Sequence, residues 1–362
     1  MKIAILGVGL IGGSIGLAAK RDAEARVSGY DPEPEAGARA LALGAIDERA
    51  ETIAEAVKDA DVVFAAAPIG WLATIVIEAL EHADSDCVVS DVGSTKLALE
   101  LAANDGRFVG GHPLAGAETA GVEHARADLF AGASWYLTPT QGTSGVLYER
   151  LHRLLVSFGA QPTAIDAKLH DRLMACFSHL PHVLANLLVA QGSARAQELS
   201  SGERLPAAGP SFRDATRVAG ANTAIWRDIY ISNRLALIGE IGGTIERLEQ
   251  VRALLEEGDA DAVAAWNDRA REQRDALLGA GLAGETSGEP VRELRASVPN
   301  RPGVVADIAL ALGGAGVNIL DMALSPSPDD SQGVIALWLR GETAALRGEQ
   351  LIHDLGFPVA RA

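Results

Sequence analysis

Apolar and polar positions change their rhythm twice along this chain. From residue 1 to 165, short apolar runs at 3–6, 26–30, 60–67, 87–91 and 108–111 alternate with stretches whose apolar residues recur at helical spacing. That alternation predicts an α/β unit with a doubly wound sheet. From 166 to 280 the strand-like runs disappear and long helical stretches replace them. Ile225, Ile229, Ile231, Leu235, Leu237, Ile238 and Ile241 mark one apolar helical face. A face that long buries against another helix, either in a monomeric bundle or in a homodimer that shares helices. Residues 281–290 are rich in Gly, Ser and Thr and read as a linker. Beyond it, strand-like runs at 292–298, 318–325, 333–339 and 357–360 enclose helical stretches at 303–313 and 343–355. This βαββαβ order predicts a small ferredoxin-like domain over 291–362, one that can be removed without unfolding the rest.

The first apolar run leads straight into Gly7-Val8-Gly9-Leu10-Ile11-Gly12, and a small-residue helix follows. Between a strand and a helix, this spacing predicts a Rossmann-type dinucleotide site. Gly7 permits the tight turn, Gly9 lets the backbone approach a pyrophosphate, and Gly12 lets helix pack on strand. The helix N-terminus at Leu10 and Ile11 offers N–H groups to phosphates. Asp31, closing the second strand-like run, is placed to accept hydrogen bonds from ribose hydroxyls. No arginine follows it, and its carboxylate repels a 2′-phosphate, so NAD is expected over NADP. The uncharged stretch 3–19 also mimics a signal peptide, but its glycines make a poor signal or membrane helix. No other stretch is expected to span a membrane, so the reading is a cytoplasmic protein.

The bulk composition narrows the partners. A net charge of −17 over 362 residues argues against nucleic acid, yet leaves room for a small anion held by local arginines. Two cysteines, Cys87 and Cys176, in apolar surroundings suggest reduced thiols.

Ligands of doubly wound sheets lie at the carboxyl ends of the strands. Pro68, Ser94 and His112 fall there, beside the expected nicotinamide end. Oxidising an alcohol needs a base for the hydroxyl proton, and a neutral imidazole suits that task. Among eight histidines, His112 in Gly110-Gly111-His112-Pro113 is the candidate base. Ser94 is set to hydrogen-bond the reacting hydroxyl or the nicotinamide, and equally to cap the following helix, two compatible roles. Lys96 reads as an anion partner or, more simply, as a surface residue. His179 and His182 share a helical face, with His170 nine positions back and turned roughly opposite. Pro181 between the pair should kink or start the helix. A lone HxxH with no further ligands makes no zinc site, so no metal is expected. Ser211 against Asp214 resembles a capping box. Arg213 and Arg217 lie one turn apart and suit a substrate carboxylate, unless Arg217 pairs with Asp214. Trp226 either walls an aromatic pocket or belongs to the core.

Taken in order, Gly-Val-Gly-Leu-Ile-Gly-Gly-Ser (7–14), Asp-Val-Gly-Ser-Thr-Lys (91–96), Gly-His-Pro-Leu-Ala-Gly (111–116), Ser-His-Leu-Pro-His (178–182) and Phe-Arg-Asp-Ala-Thr-Arg (212–217) resemble the prephenate/arogenate dehydrogenase family of tyrosine biosynthesis. The resemblance covers residues 1–280, and the C-terminal seventy or so look like an ACT domain. It implies NAD-dependent oxidative decarboxylation of prephenate, or of arogenate. It implies His112 as the base, Ser94 beside the hydroxyl, His179 and His182 at the pocket, and Arg217 on a substrate carboxylate. An amino-acid effector such as tyrosine is implied for the ACT-like domain, with Asn300, Gly303, Asn318 and Ile319 as its candidate residues. Pro210-Ser211 depart from the glycine pair many relatives carry before the Phe-Arg/Lys-Asp motif. Asn300 departs from the frequent Asp. Two rival readings remain. A β-hydroxyacid dehydrogenase needs a lysine in the helical region, where only Lys168 occurs. A non-catalytic NAD sensor needs none of His112, Ser94 and Arg217.

Overall fold

A computed structural model describes residues 1–116, 119–199, 209–282, 289–327 and 332–361. The N-terminal unit runs β1 (Lys2–Leu6), α1 (Leu10–Asp22), β2 (Arg26–Tyr30), α2 (Pro34–Ala42), β3 (Glu48–Arg49), α3 (Ile53–Val57) and β4 (Val62–Ala65). It continues through α4 (Ile69–His82), β5 (Val88–Asp91), α5 (Leu97–Ala103), β6 (Phe108–Pro113), β7 (Ser134–Thr138), α6 (Gly145–Ser157) and β8 (Gln161–Ala164). The strands form one sheet in the order β3-β2-β1-β4-β5-β6-β7-β8. Its central strands are apolar on both sides because helices cover both faces. Ile3 and Ile5 of β1 enter one core layer, while Ala4 and Leu6 enter the other.

The sheet is not parallel throughout: one edge is reversed. β7 runs antiparallel to β6, with His112 opposite Tyr136, and β8 follows β7 in parallel. Among the described residues, the link from β6 to β7 holds a short 3₁₀ turn, Val122–His124, and no crossover α-helix. A chain that does not cross the sheet returns in the opposite direction.

The helical unit comprises α7 (Ala167–Met174), a π turn (Ala175–His179), α8 (Leu180–Leu199), α9 (Pro210–Thr216), α10 (Thr223–Ser232), α11 (Arg234–Glu257) and α12 (Ala260–Leu282). Contrary to expectation, residues 167–198 form a helix long and apolar enough to cross a membrane by length and composition. Buried His170, Asp171, His179 and His182 lie along it and face other parts of the protein, which makes it a helix of the bundle. The expected capping box also differs: α9 begins at Pro210 with Gly209 as its N-cap, leaving Ser211 inside the first turn. Proline fits there because that N–H has no helical partner.

The expected linker, 281–290, falls largely outside the described residues. The chain then forms β9 (Val291–Pro299), α13 (Val304–Gly314), β10 (Ile319–Pro326), β11 (Gln332–Arg340), α14 (Glu342–Asp354) and β12 (Val359–Arg361). Its sheet is antiparallel, ordered β10-β11-β9-β12. This unit is not merely tethered, as the sequence suggests. Its apolar face joins the same core cluster as α6 and β8. A Cβ on Gly313 would collide with the Ala164 carbonyl, and one on Gly145 would press into Val305. Gln141 donates to Asp307 at 2.7 Å across the seam.

Candidate active site

The strand ends gather the polar groups. Asp91 closes β5, and its carboxylate accepts from the N–H of Gly93 (2.7 Å) and of Gly111 (3.0 Å). Lys96 is 1% exposed, which overturns its surface reading. Its ammonium pairs with Asp91 and donates to the Gly111 carbonyl at 2.6 Å. A buried ion pair persists only when its remaining donors and acceptors are satisfied, and here the partners are the backbone that leads into His112.

His112 ends β6, buried. Its Nδ1 lies 2.9 Å from His170 Nε2, and His170 Nδ1 lies 2.9 Å from Asp171 Oδ1. A carboxylate only accepts, so His170 Nδ1 carries the proton and its Nε2 is a lone pair. His112 must then donate from Nδ1, which leaves Nε2 as its basic atom. Among the described residues Nε2 has no hydrogen-bond partner. Burial, with help from His170, Lys96 and His179, holds the His112 pKa well below its ordinary value. The ring is therefore neutral at working pH.

Asp171 has a second task. It accepts from the N–H of Lys96 (2.8 Å) and of Leu97 (3.0 Å), capping α5 with a negative charge. Ser94 therefore does not cap that helix. It is half-buried beside the site and makes no hydrogen bond among the described residues.

The facing wall comes from the helical unit. Asn233 donates to the Asp171 carbonyl at 2.7 Å and lies 3.1 Å from His179 Nδ1. Burial lowers the His179 pKa to about 4. Trp226 stacks on His182 with centroids 3.6 Å apart and planes 5° apart, and meets His179 edge-on. That geometry sets Trp226 against both histidines. Thr95 and Ser232 hydroxyls, 3.0 Å apart, tie the two walls together. Arg213 on α9 and Arg217, just after it, are both exposed. The 3₁₀ turn Arg217–Gly220 packs on α8.

His170 does not point away from His179, as regular helical counting predicts. The π turn between them adds one residue to a turn, retarding the phase by about 100°.

Along the same carboxyl edge of the sheet, the turn after β1 fits a dinucleotide. Gly7 adopts φ +102°, and a Cβ there would strike the Ala66 carbonyl. Gly9 faces open space, and a Cβ on Gly12 would collide with Gly7. Helix α1 starts at Leu10 with no side-chain cap, so the N–H groups of Leu10 and Ile11 face outward. Asp31 is oriented by accepting from Val8 N–H (3.0 Å) and Glu33 N–H (2.9 Å). Pro68 stands at the end of β4 as the N-cap of α4.

A family model described as the prephenate dehydrogenase nucleotide-binding domain matches residues 15–163, and one described as the prephenate dehydrogenase dimerization domain matches 166–267. The chain belongs to the prephenate dehydrogenase family. A curated prephenate dehydrogenase of Bacillus subtilis is 32% identical over 97% of this chain and 95% of its own length. Among solved structures, the A. aeolicus prephenate dehydrogenase in complex with hydroxyphenyl propionate and NAD+ has a TM-score of 0.69 at 29% identity, covering 76% of this chain and 98% of that one. The Synechocystis arogenate dehydrogenase has a TM-score of 0.68 at 26% identity, covering 76% and 100%. This member of the prephenate dehydrogenase family is an NAD-dependent oxidoreductase.

Sequence reasoning did not single out His170, Asp171 and Asn233, which meet His112 and His179 here. The adjacent His170-Asp171 pair on α7 was the available signal. Of the candidate effector residues, Asn300 lines a cavity of about 440 Å³ between the loop at 142–146 and the C-terminal unit. Gly303 instead docks on the Thr143 carbonyl at 3.3 Å. Asn318 and Ile319 are not part of the cavity lining.

Proposed function

We propose that this family member oxidises prephenate to 4-hydroxyphenylpyruvate. The observation that carries the reading is the His112–His170–Asp171 chain, which leaves a neutral imidazole with its Nε2 lone pair free. That atom takes the proton of the ring hydroxyl. Ser94 is suited to hold the hydroxyl oxygen in line. Bound NAD supplies the hydride acceptor. The ring carboxylate leaves as CO2, its bond electrons completing the aromatic ring. Arg217, with Arg213 beside it, suits a substrate carboxylate, since a guanidinium grips one with two parallel N–H groups. His179, His182 and Trp226 wall the remainder of the substrate. The decisive experiment measures NADH formation from prephenate and from arogenate, each with NAD and with NADP. Turnover of prephenate with NAD is expected. Preference for arogenate would move the reaction to direct tyrosine formation, and turnover of neither would sink the assignment.

The protein works as a homodimer built on α11. Leu235, Ile238, Ile245, Leu248 and Leu255 along that helix are all more than half exposed, and only Leu237 is buried. Apolar area of that extent is suited to a second copy. The C-terminal unit has the strand and helix order of a ferredoxin-like ACT domain, and tyrosine as its effector accords with the Asn300-lined cavity. Free Cys87 and Cys176 accord with a cytoplasmic enzyme.

A further inference from the structure

His182 Nδ1 is hydrogen-bonded to the Tyr230 hydroxyl, and Asn186 Nδ2 lies 3.4 Å from both atoms. The amide nitrogen only donates, so it gives a proton to the Tyr230 oxygen or to Nδ1 itself. With its oxygen so engaged, the Tyr230 hydroxyl donates to Nδ1. Nδ1 is thus an acceptor, and the single proton of the neutral ring sits on Nε2. Burial holds the His182 ring neutral, offset in part by the Val218 carbonyl. Yet His182 Nε2 is buried without closing any hydrogen bond. A buried N–H without a partner is unfavourable, so the site gains when a ligand brings an acceptor.

His182 stands one turn beyond His179, on the wall that continues away from His112. A substrate whose ring hydroxyl meets His112 therefore presents its side chain towards His182. We infer that Tyr230 is a positioning residue that locks His182 as an Nε2–H donor, so that the site selects a side-chain keto oxygen over an ammonium group. The inference rests on the substrate reading given above. A keto oxygen satisfies the waiting N–H. An ammonium brings only donors, leaving Nε2–H unpaired and facing a like charge.

The test combines selectivity with the tautomer itself. Wild type, Tyr230→Phe and the exposed-site variant Asn186→Leu are assayed with prephenate and arogenate, and ¹⁵N spectra of histidine-labelled protein read the protonation of His182. In wild type, Nδ1 is expected unprotonated and Nε2 protonated. In Tyr230→Phe the two tautomers mix, and the prephenate-to-arogenate ratio of kcat/KM falls about tenfold, chiefly through the KM for prephenate. Asn186→Leu gives a smaller fall of the same sign. The acid limb set by His112 stays where it is, which a general loosening of the helices would not allow. A proton on Nδ1 in wild type overturns the inference, as does an unchanged ratio in both variants. Wild-type preference for arogenate overturns it too, while leaving the dehydrogenase intact. Wild-type failure on both substrates brings down the substrate reading and this one with it.

Discussion

Burial of His112 has a kinetic consequence that separates it from an ordinary surface histidine. Its pKa lies well below 6.5, so the basic form is already complete at pH 7. kcat/KM is expected to stay level as pH falls towards 6.5 and to drop only below it, as the ring gains a proton. A surface histidine would instead titrate through that window. His112→Asn should lower kcat about 10³-fold while NADH fluorescence still reports dinucleotide binding. An equal loss of dinucleotide binding would make His112 structural. His112 was legible because a Gly-Gly-His-Pro ending a strand is a local pattern. Lys96 was not, because its burial depends on Asp91 across a turn and on Gly111 in the next strand. Asp171 was hidden for the same reason: it caps a helix seventy-odd positions away in sequence, and no spacing rule reaches that far.

At the level of elements, the sequence pattern located most strands and helices, since apolar periodicity reports local burial. It missed the reversed edge strands and the π turn, because neither changes that periodicity much. The π turn brings His170 and His179 onto one wall, which gives a sharp expectation. Inserting one alanine after the exposed residue Phe177 should turn the two flanks by about 100° relative to each other, swing His170 out of reach of His112, and lower kcat by at least about 10²-fold. Circular dichroism should show the helix content retained. Full activity in the insertion variant would mean that the helix phase is irrelevant to catalysis. Helix α11 raises a separate point, since its apolar residues are mostly uncovered in one chain. Leu248→Asp buries a charge in the interface of a dimer and nothing in a monomer. Sedimentation should therefore show the wild type as a dimer and this variant as a monomer. Two identical sedimentation profiles would place the second copy elsewhere.

Across the whole molecule, the C-terminal unit shares a core with the sheet, and a histidine sits in that seam. His152 on α6 is fully buried against β10, with neither ring nitrogen hydrogen-bonded. The Ile319 carbonyl and the Asp321 carboxylate lie on the β10 side, but burial dominates and lowers its pKa to about 4. Arg153, next along α6, is drawn to Asp321 at 3.6 Å, which limits how far that carboxylate can favour a charged ring. The sign follows from linkage. The released ring binds a proton near pH 6.5, whereas the docked ring resists one until about pH 4. Docking is therefore fully stable above pH 6.5, weakens as pH falls from there, and levels off below about pH 4. The loss is on the order of 3 kcal/mol, enough to loosen one unit from another. His112, His170 and His179 are also lowered by burial, so wild type alone does not isolate this contribution. His152→Phe keeps the volume and removes the proton site. Between pH 7 and 4.5 the melting temperature of wild type should fall several degrees further than that of His152→Phe, and proteolysis of wild type at low pH should begin at the seam. Parallel losses in the two proteins would mean that His152 stays docked in its charged form, with the acid sensitivity residing in the active-site histidines.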